Sequence, residues 1–246
     1  MNLTSNPWLA RVAKHLGEAN PLGAVEALVC RFRNGQSLDE LTRQLGVERV
    51  VSEAMPFDGG IYEIDGRRII KLNSLCSPAK QRFTLAHELG HLMLESTTKC
   101  GPACTSDHNL ERVCDSIAAE ILMPTGGVRS FANSLGKQSP EKLSIVASHF
   151  NVSLEAAARR LVDLNLWKWG TGMWDCAHDA QQVWFAGKRP WKTNKPAFAV
   201  FELALQSNTP VCANERFSRG PYTEPVALKA HHIGKNFVVA IVATRK

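Results

Sequence analysis

The chain has 246 residues, 44% hydrophobic and 21% charged, with a formal net charge of +6, long enough for a sizeable core and two structural units. No stretch approaches the ~20 apolar residues of a membrane span, and the start Met1-Asn2-Leu3-Thr4 lacks the basic-then-apolar pattern of a secretory signal. The 7 cysteines are an odd number and dispersed, unlike a secreted disulfide framework, so a cytoplasmic protein without a membrane partner is expected.

Residues 8–55 read as helical, and Ser37-Leu38-Asp39-Glu40 offers an N-cap with a capping-box glutamate. Gly59-Gly60 then opens a turn. Ile61 to Ile64 alternates as a short strand, Asp65-Gly66 is a hairpin turn signal, and Arg68 to Leu72 supplies the returning strand. An edge strand of this kind can pair with an extended peptide.

The next segment, Arg82-Phe-Thr-Leu-Ala-His-Glu-Leu-Gly-His-Leu-Met-Leu94, contains a complete His-Glu-x-x-His on a helical pattern. Four residues apart on a helix, His87 and His91 differ by about 40° around the axis, so both imidazoles leave one face. That suits two ligands of a tetrahedral zinc, with Glu88 beside them as a general base. Gly90 costs roughly 1 kcal/mol relative to alanine in such a helix, which a close approach of backbone or metal would explain.

Glu111 to Met123 reads as a second helix, stopped at Pro124. Its buried stripe is Val113, Cys114, Ile117, Ala118, Ile121 and Leu122. Glu111 and Asp115 share another face. Glu111 would complete a His2Glu site with the fourth position open. Asp115 would orient a histidine through its other ring nitrogen. Tyr62, His108 and Arg82 are candidate oxyanion donors, between which the sequence does not choose.

Together, Arg82-Phe-Thr-Leu-Ala-His-Glu-Leu-Gly-His91 and Glu111-x-x-x-Asp-x-x-Ala-x-Glu-x-Leu-Met-Pro124 resemble the ImmA/IrrE family of zinc metallopeptidases. Asp58 to Tyr62 and Arg68 to Asn73 resemble the strands that precede the family's active-site helix, and the similarity covers about residues 25–165. Val113-Cys114 departs from the more usual acidic-alanine pair. The resemblance implies one Zn2+ per chain held by His87, His91 and Glu111, with Glu88 as catalytic base. It also implies a protein substrate, a helix-turn-helix repressor whose cleavage switches on stress or mobile-element genes. The alternative is a DNA-associated regulator that keeps the peptidase fold without turnover, and Glu88 is the residue such a protein would not need.

Between the two motif helices lies Lys99-Cys100-Gly-Pro-Ala-Cys104. It reads as a loop with two free thiols, against a redox clip or an accessory metal site, because Cys-x-x-x-Cys lacks a second pair. Residues 139–166 outline helix, turn and Ser-capped helix. That outline suits two packing helices, ahead of a DNA reader, with His149 a packing or surface residue. Five of the six tryptophans fall between Trp167 and Trp191, and apolar runs at Ala197–Leu205, Pro225–Lys229 and Phe237–Ala243 suit β-structure. From Leu166 onward there are 11 Lys/Arg against 5 Asp/Glu, whereas the preceding residues balance at 18 and 18. This basic part can dock or sense a ligand. Alternatively it binds nucleic acid through Lys188, Arg189, Lys192 and Lys195, with Trp184 and Trp191 stacking on bases.

The expected fold is α+β: a mainly helical zinc-metallopeptidase domain with a small β-hairpin or sheet (1–135), a helix-turn-helix-like segment closing it (136–168), and a basic, Trp-rich, β-containing C-terminal domain (169–246).

Overall fold

The computed structural model describes residues 6–33, 35–98, 107–168, 170–177, 181–187, 199–207, 209–219, 222–234 and 237–244. Contacts divide the chain into two compact units, Met1–Gly127 and Val128–Lys246. The layout is α+β, mainly helical at first and strand-rich towards the C-terminus. Among the described residues no helix is long and apolar enough to cross a membrane. Cys100 and Cys104 lie outside the described residues.

In the first unit, α1 (Pro7–Leu16) begins at Asn6, whose side chain accepts from the Trp8 N–H, and ends at Gly17 with φ 72°. That left-handed conformation suits glycine. α2 (Pro21–Arg33) follows, then α3 (Leu38–Gln44), which starts at the anticipated Ser37/Glu40 capping box. The reading of residues 8–55 as wholly helical needs correction, because Val47–Glu53 form a strand, β1. Val47, Val50 and Val51 are β-branched, and pairing with a partner later in the chain decides the outcome. That partner is β3 (Arg67–Asn73), parallel to β1 and antiparallel to β2 (Gly59–Ile64), giving the order β1-β3-β2. The Asp65-Gly66 turn joins β2 and β3, both residues having positive φ.

Two long helices follow: α4 (Pro78–Thr98), which lies against β2 and β3, and α5 (His108–Leu122), which packs on α4. Arg68 on β3 donates to Glu95 on α4 at 2.7 Å, so the sheet face carrying Arg68, Ile70 and Leu72 is the one turned to α4. Ile70, Leu89, Leu92, Met93, Ile117, Ile121 and Met123 are fully buried side chains of this unit. Each such side chain contributes roughly 1.5–3 kcal/mol of burial. The N-terminal ends of α1 and α5 are tied by Trp8 Nε1 donating to Asp107 at 2.7 Å and Asn6 Nδ2 donating to the Asn109 carbonyl at 2.9 Å.

In the second unit, α7 (Pro140–Phe150) and α8 (Leu154–Asp163) follow α6 (Thr125–Leu135). The break at Asn151 is a left-handed residue with φ 52°, and Ser139 and Ser153 cap the two helices. Five strands then form a sheet: β4 (Gly170–Asp175), β5 (Gln181–Ala186), β6 (Val211–Arg219), β7 (Tyr222–His232) and β8 (Phe237–Thr244), in the order β5-β4-β8-β7-β6 with all neighbours antiparallel. α7 contacts β7 and β8, and α8 contacts β4 and β5.

The run Ala197–Leu205, read as strand, is corrected over most of its length: Ala199–Gln206 are a helix, α9. Alanine, leucine, glutamate and glutamine are strong helix formers. Val200, Phe201 and Ala204 share a helical face packed with Trp174, Ala230, Val238 and Ala240. Trp174 and Trp184 are buried core residues, which takes Trp184 away from any base-stacking surface. Lys188, Arg189, Trp191, Lys192 and Lys195 lie outside the described residues. His149 stacks on Phe131 with ring centroids 3.8 Å apart, as a packing residue would.

Candidate metal centre

Gly90 decides how closely α4 and α5 approach. A Cβ placed there would lie 3.4 Å from the Cα and the carbonyl oxygen of Cys114 and from the Ile117 Cβ, so the residue that weakens α4 as a helix lets the α5 backbone come near. Beside this contact the polar residues of the two motifs meet. His87 Nε2 is 3.1 Å from Glu111 Oε2, His91 Nε2 is 3.4 Å from Glu111 Oε1, and the two Nε2 atoms are 3.2 Å apart.

Those distances are a test of fit. A tetrahedral ion with bonds of 2.0–2.1 Å sets its ligand atoms about 3.3 Å apart; the 3.2 Å between the two Nε2 atoms, and the 3.1 and 3.4 Å from them to the two Glu111 oxygens, lie on either side of that spacing. His87, His91 and Glu111 are also, among the described residues, the one group of histidine, cysteine and carboxylate ligands close enough to hold a metal ion. Glutamate carries only acceptors when ionised, and a neutral imidazole points a lone pair from its unprotonated nitrogen. A divalent cation would satisfy all three at once.

Asp115 lies 2.9 Å from His87 Nδ1. With Nδ1–H donating to that carboxylate, His87 Nε2 is left as a lone pair facing Glu111 and His91. Burial lowers the pKa of His87, but the hydrogen bond and charge of Asp115, with Glu88 and Glu111, outweigh it and raise it overall. Burial and the His87 charge hold His91 below its ordinary value. Of the two rings, therefore, His87 is the one whose proton is favoured. Burial, reinforced by Glu111, pushes Glu88 above the usual carboxylate range despite the opposing pull of His87. A carboxylate raised in this way is a better proton acceptor.

The three candidate oxyanion donors are placed differently. Tyr62 lies under the Lys71 ammonium, 5.1 Å from ring centre to Nζ. It shares that sheet face with Gly60 and Lys71, opposite the face turned to α4. His108 is the first residue of α5, beside the N-cap Asp107. Arg82 lies five residues before His87, about 7.5 Å along the axis, where burial and the nearby Arg33 charge lower its pKa. None of the three is among the groups gathered at the ring nitrogens.

Sequence reasoning also passed over a neighbour of the site. Lys80 Nζ and Asp58 Oδ2 are 2.7 Å apart, and Cys76 Sγ donates to Asp58 Oδ1 at 3.7 Å. The Lys80 hydrogen bond, with the charges of Lys80 and His87, holds Asp58 below its ordinary range. Seven residues separate Lys80 from His87, two turns along one helix face. That spacing was the only signal available.

The peptidase M78 family model, described as the IrrE N-terminal-like domain, matches residues 42–162. This is narrower at the N-terminal side than the resemblance read from the motifs. No curated protein matches the chain in sequence. Among solved structures, one described as a Mycobacterium tuberculosis transcriptional regulator is similar in fold. The TM-score is 0.59 over 99% of this chain and 82% of that one, at 13% sequence identity.

Proposed function

We propose that this chain, a member through residues 42–162 of the IrrE N-terminal-like domain family, is a zinc-dependent endopeptidase that cuts a specific protein substrate. The observation that carries the reading is the gathering of His87 Nε2 and His91 Nε2, 3.2 Å apart, at the Glu111 carboxylate, whose Oε2 lies 3.1 Å from the first and Oε1 3.4 Å from the second. When bound there, zinc supplies an acidified water and a Lewis acid for the scissile carbonyl. Asp115 fixes the His87 tautomer, α4 holds both histidines and Glu88 on one rigid element, and Glu88 takes the attacking water's proton and returns it to the leaving amine. Glu111 and Asp115 keep side chains 40% and 57% accessible, so the site is open to a polypeptide from the α5 side.

The substrate we favour is a helix-turn-helix repressor, cleaved to release stress or mobile-element genes. The resemblance of the two motifs to ImmA/IrrE proteins supports this, as does the transcriptional role in the structural neighbour's name. That name equally favours a second reading, a DNA-associated regulator without turnover, and Glu88 separates the two. Glu88→Gln should keep one zinc per chain and lower hydrolysis by about 10²–10⁴-fold, and it should retain the substrate. Partners held by that variant are then incubated with the unaltered chain and zinc, and cleavage is read by mass spectrometry. A Glu88→Gln protein that cuts at the unaltered rate would sink the assignment.

A further inference from the structure

Phe57 and Leu75 are 49% and 79% accessible. A single exposed apolar side chain on a loose loop means little, but these two are held. Asn73, itself only 8% accessible, accepts through Oδ1 from the N–H of Met55 at 3.4 Å and of Leu75 at 3.0 Å. The Asn73 N–H donates to the Asp58 carbonyl at 2.9 Å. Residues 55–58 and 73–76 are therefore cross-bonded. α4 anchors them twice, through the Lys80–Asp58 ion pair at 2.7 Å and through Gln81 Nε2, which donates to the Cys76 carbonyl at 2.8 Å. Cys76 Sγ, 3.7 Å from Asp58 Oδ1, joins the chain neighbours of Leu75 and Phe57.

We propose that Phe57 and Leu75 form an apolar subsite for a bulky hydrophobic side chain of the protein substrate, about three residues from the bond cut at His87, His91 and Glu111. The assignment rests on the peptidase reading above. Its distance follows from α4: Lys80 to His87 spans about 10.5 Å of helix axis, close to three residues of extended chain. The occupant is an extended segment of another protein. Asp58, next to Phe57 in the chain, and Lys80, two turns before His87 on α4, neutralise each other and give no preference for an acidic or a basic chain. The apolar pair is then what discriminates. β2 supports an extended course, because among the described residues it pairs only with β3 and its outer edge is available for strand addition. Hydrophobic side chains are usually buried in folded proteins, so such a subsite selects segments already exposed or loosened.

The test uses the full zinc-loaded chain carrying Glu88→Gln and fluorescein-labelled 12-residue peptides in which one leucine is moved through an otherwise serine- and alanine-based sequence. Binding is read by polarisation, with and without Phe57→Ser and Leu75→Ser, and zinc content and circular dichroism are checked in each protein. The result expected is about tenfold tighter binding for leucine at one position, lost in the double variant while zinc and fold are unchanged. Both side chains are exposed, so the substitutions spare the core, and Phe57→Ala alone should give a partial loss. Absence of a leucine preference, including absence of binding, overturns the subsite, as does a preference that survives the double variant. Cleavage of the same peptides by the chain with Glu88 intact is a separate reading. Failure there counts against the peptidase assignment and leaves the binding result standing.

Discussion

Helices α4 and α5 meet where Gly90 faces Cys114, and beside the buried Leu89, Leu92, Met93, Ile117 and Ile121 they also gather ionisable groups: His87, His91, Glu111 and Asp115, with Glu88 alongside. Helices α7 and α8 also pack on each other, yet they gather Leu143, Val146, Ala147, Ala157, Ala158, Leu161 and Val162. Their charged residues include the exposed i,i+4 pair Glu155–Arg159 at 2.6 Å, which is worth little. A fold that only needed to hold two helices together would choose the second arrangement. Burying carboxylates and imidazoles together opposes folding unless a cation or a complete set of hydrogen bonds offsets it. The contrast teaches that the α4–α5 pair brings together side chains that could hold a metal ion, whereas α7–α8 is organised around apolar packing.

The largest effect that could break this comparison is loss of a ligand. His91→Ala should leave no zinc after gel filtration, measured by elemental analysis, while an α7 change such as Ser148→Ala leaves zinc at one per chain. Gly90→Leu should act almost as strongly, because a long side chain where a Cβ already sits 3.4 Å from the α5 backbone must separate the helices. Both zinc content and melting temperature should fall. Gly90→Ala is the informative control. Its added Cβ just reaches contact, and its gain of helix propensity, roughly 1 kcal/mol, offsets the crowding, so stability should change little. A Gly90→Leu protein with full zinc would show that the close approach is not what builds the site.

Asp115→Ala comes next. It leaves His87, His91 and Glu111 in place and removes only the partner of His87 Nδ1, so zinc affinity should fall about 10–100-fold. Competition with a chelating dye measures this. Unchanged affinity would mean that Asp115 is an ordinary acidic residue of an amphipathic helix, and α5 would then differ less from α8 than the geometry implies.

How much of this was legible in the chain depends on whether the information was local. His87, Glu88 and His91 lie on one helix, and Glu111 and Asp115 on another with its own apolar stripe, so helical periodicity alone brought each set onto a face. Gly90 was visible as a cost, and only the structure shows that the cost admits the Cys114 backbone. β1 was misread because Val47 to Glu53 become a strand only against β3. α9 was misread because the hydrophobicity of Ala199 to Leu205 outweighed its helix-forming residues. The Asp58–Lys80 pair joins a loop to a helix, and no periodicity within either segment announces it.

The smallest effects expected are at the helix caps, where the start of α5 differs in kind from the serine starts of α4, α7 and α8. Ser139 accepts from Lys142 N–H at 3.4 Å and Ser153 from Ala156 N–H at 3.1 Å. These are neutral caps, and Ser139→Ala or Ser153→Ala should each lower stability by roughly 1 kcal/mol at any pH. α5 begins instead at Asp107, whose carboxylate accepts from Trp8 Nε1 at 2.7 Å and from Asn109 N–H at 2.8 Å. The Trp8 bond, then the Asn109 bond, hold its pKa below the ordinary value of 3.8. Because the folded value is the lower one, the Asp107 contribution is present above the unfolded pKa and is lost as pH falls through the folded one. Urea unfolding at neutral pH and again at a pH below the folded value should therefore show Asp107→Ala destabilising the first condition more than the second. The serine variants should shift both equally. A pH-independent Asp107→Ala shift would place the α5 start in the same class as the starts of α7 and α8. The charged entrance to α5, one turn before Glu111, would then be only another cap.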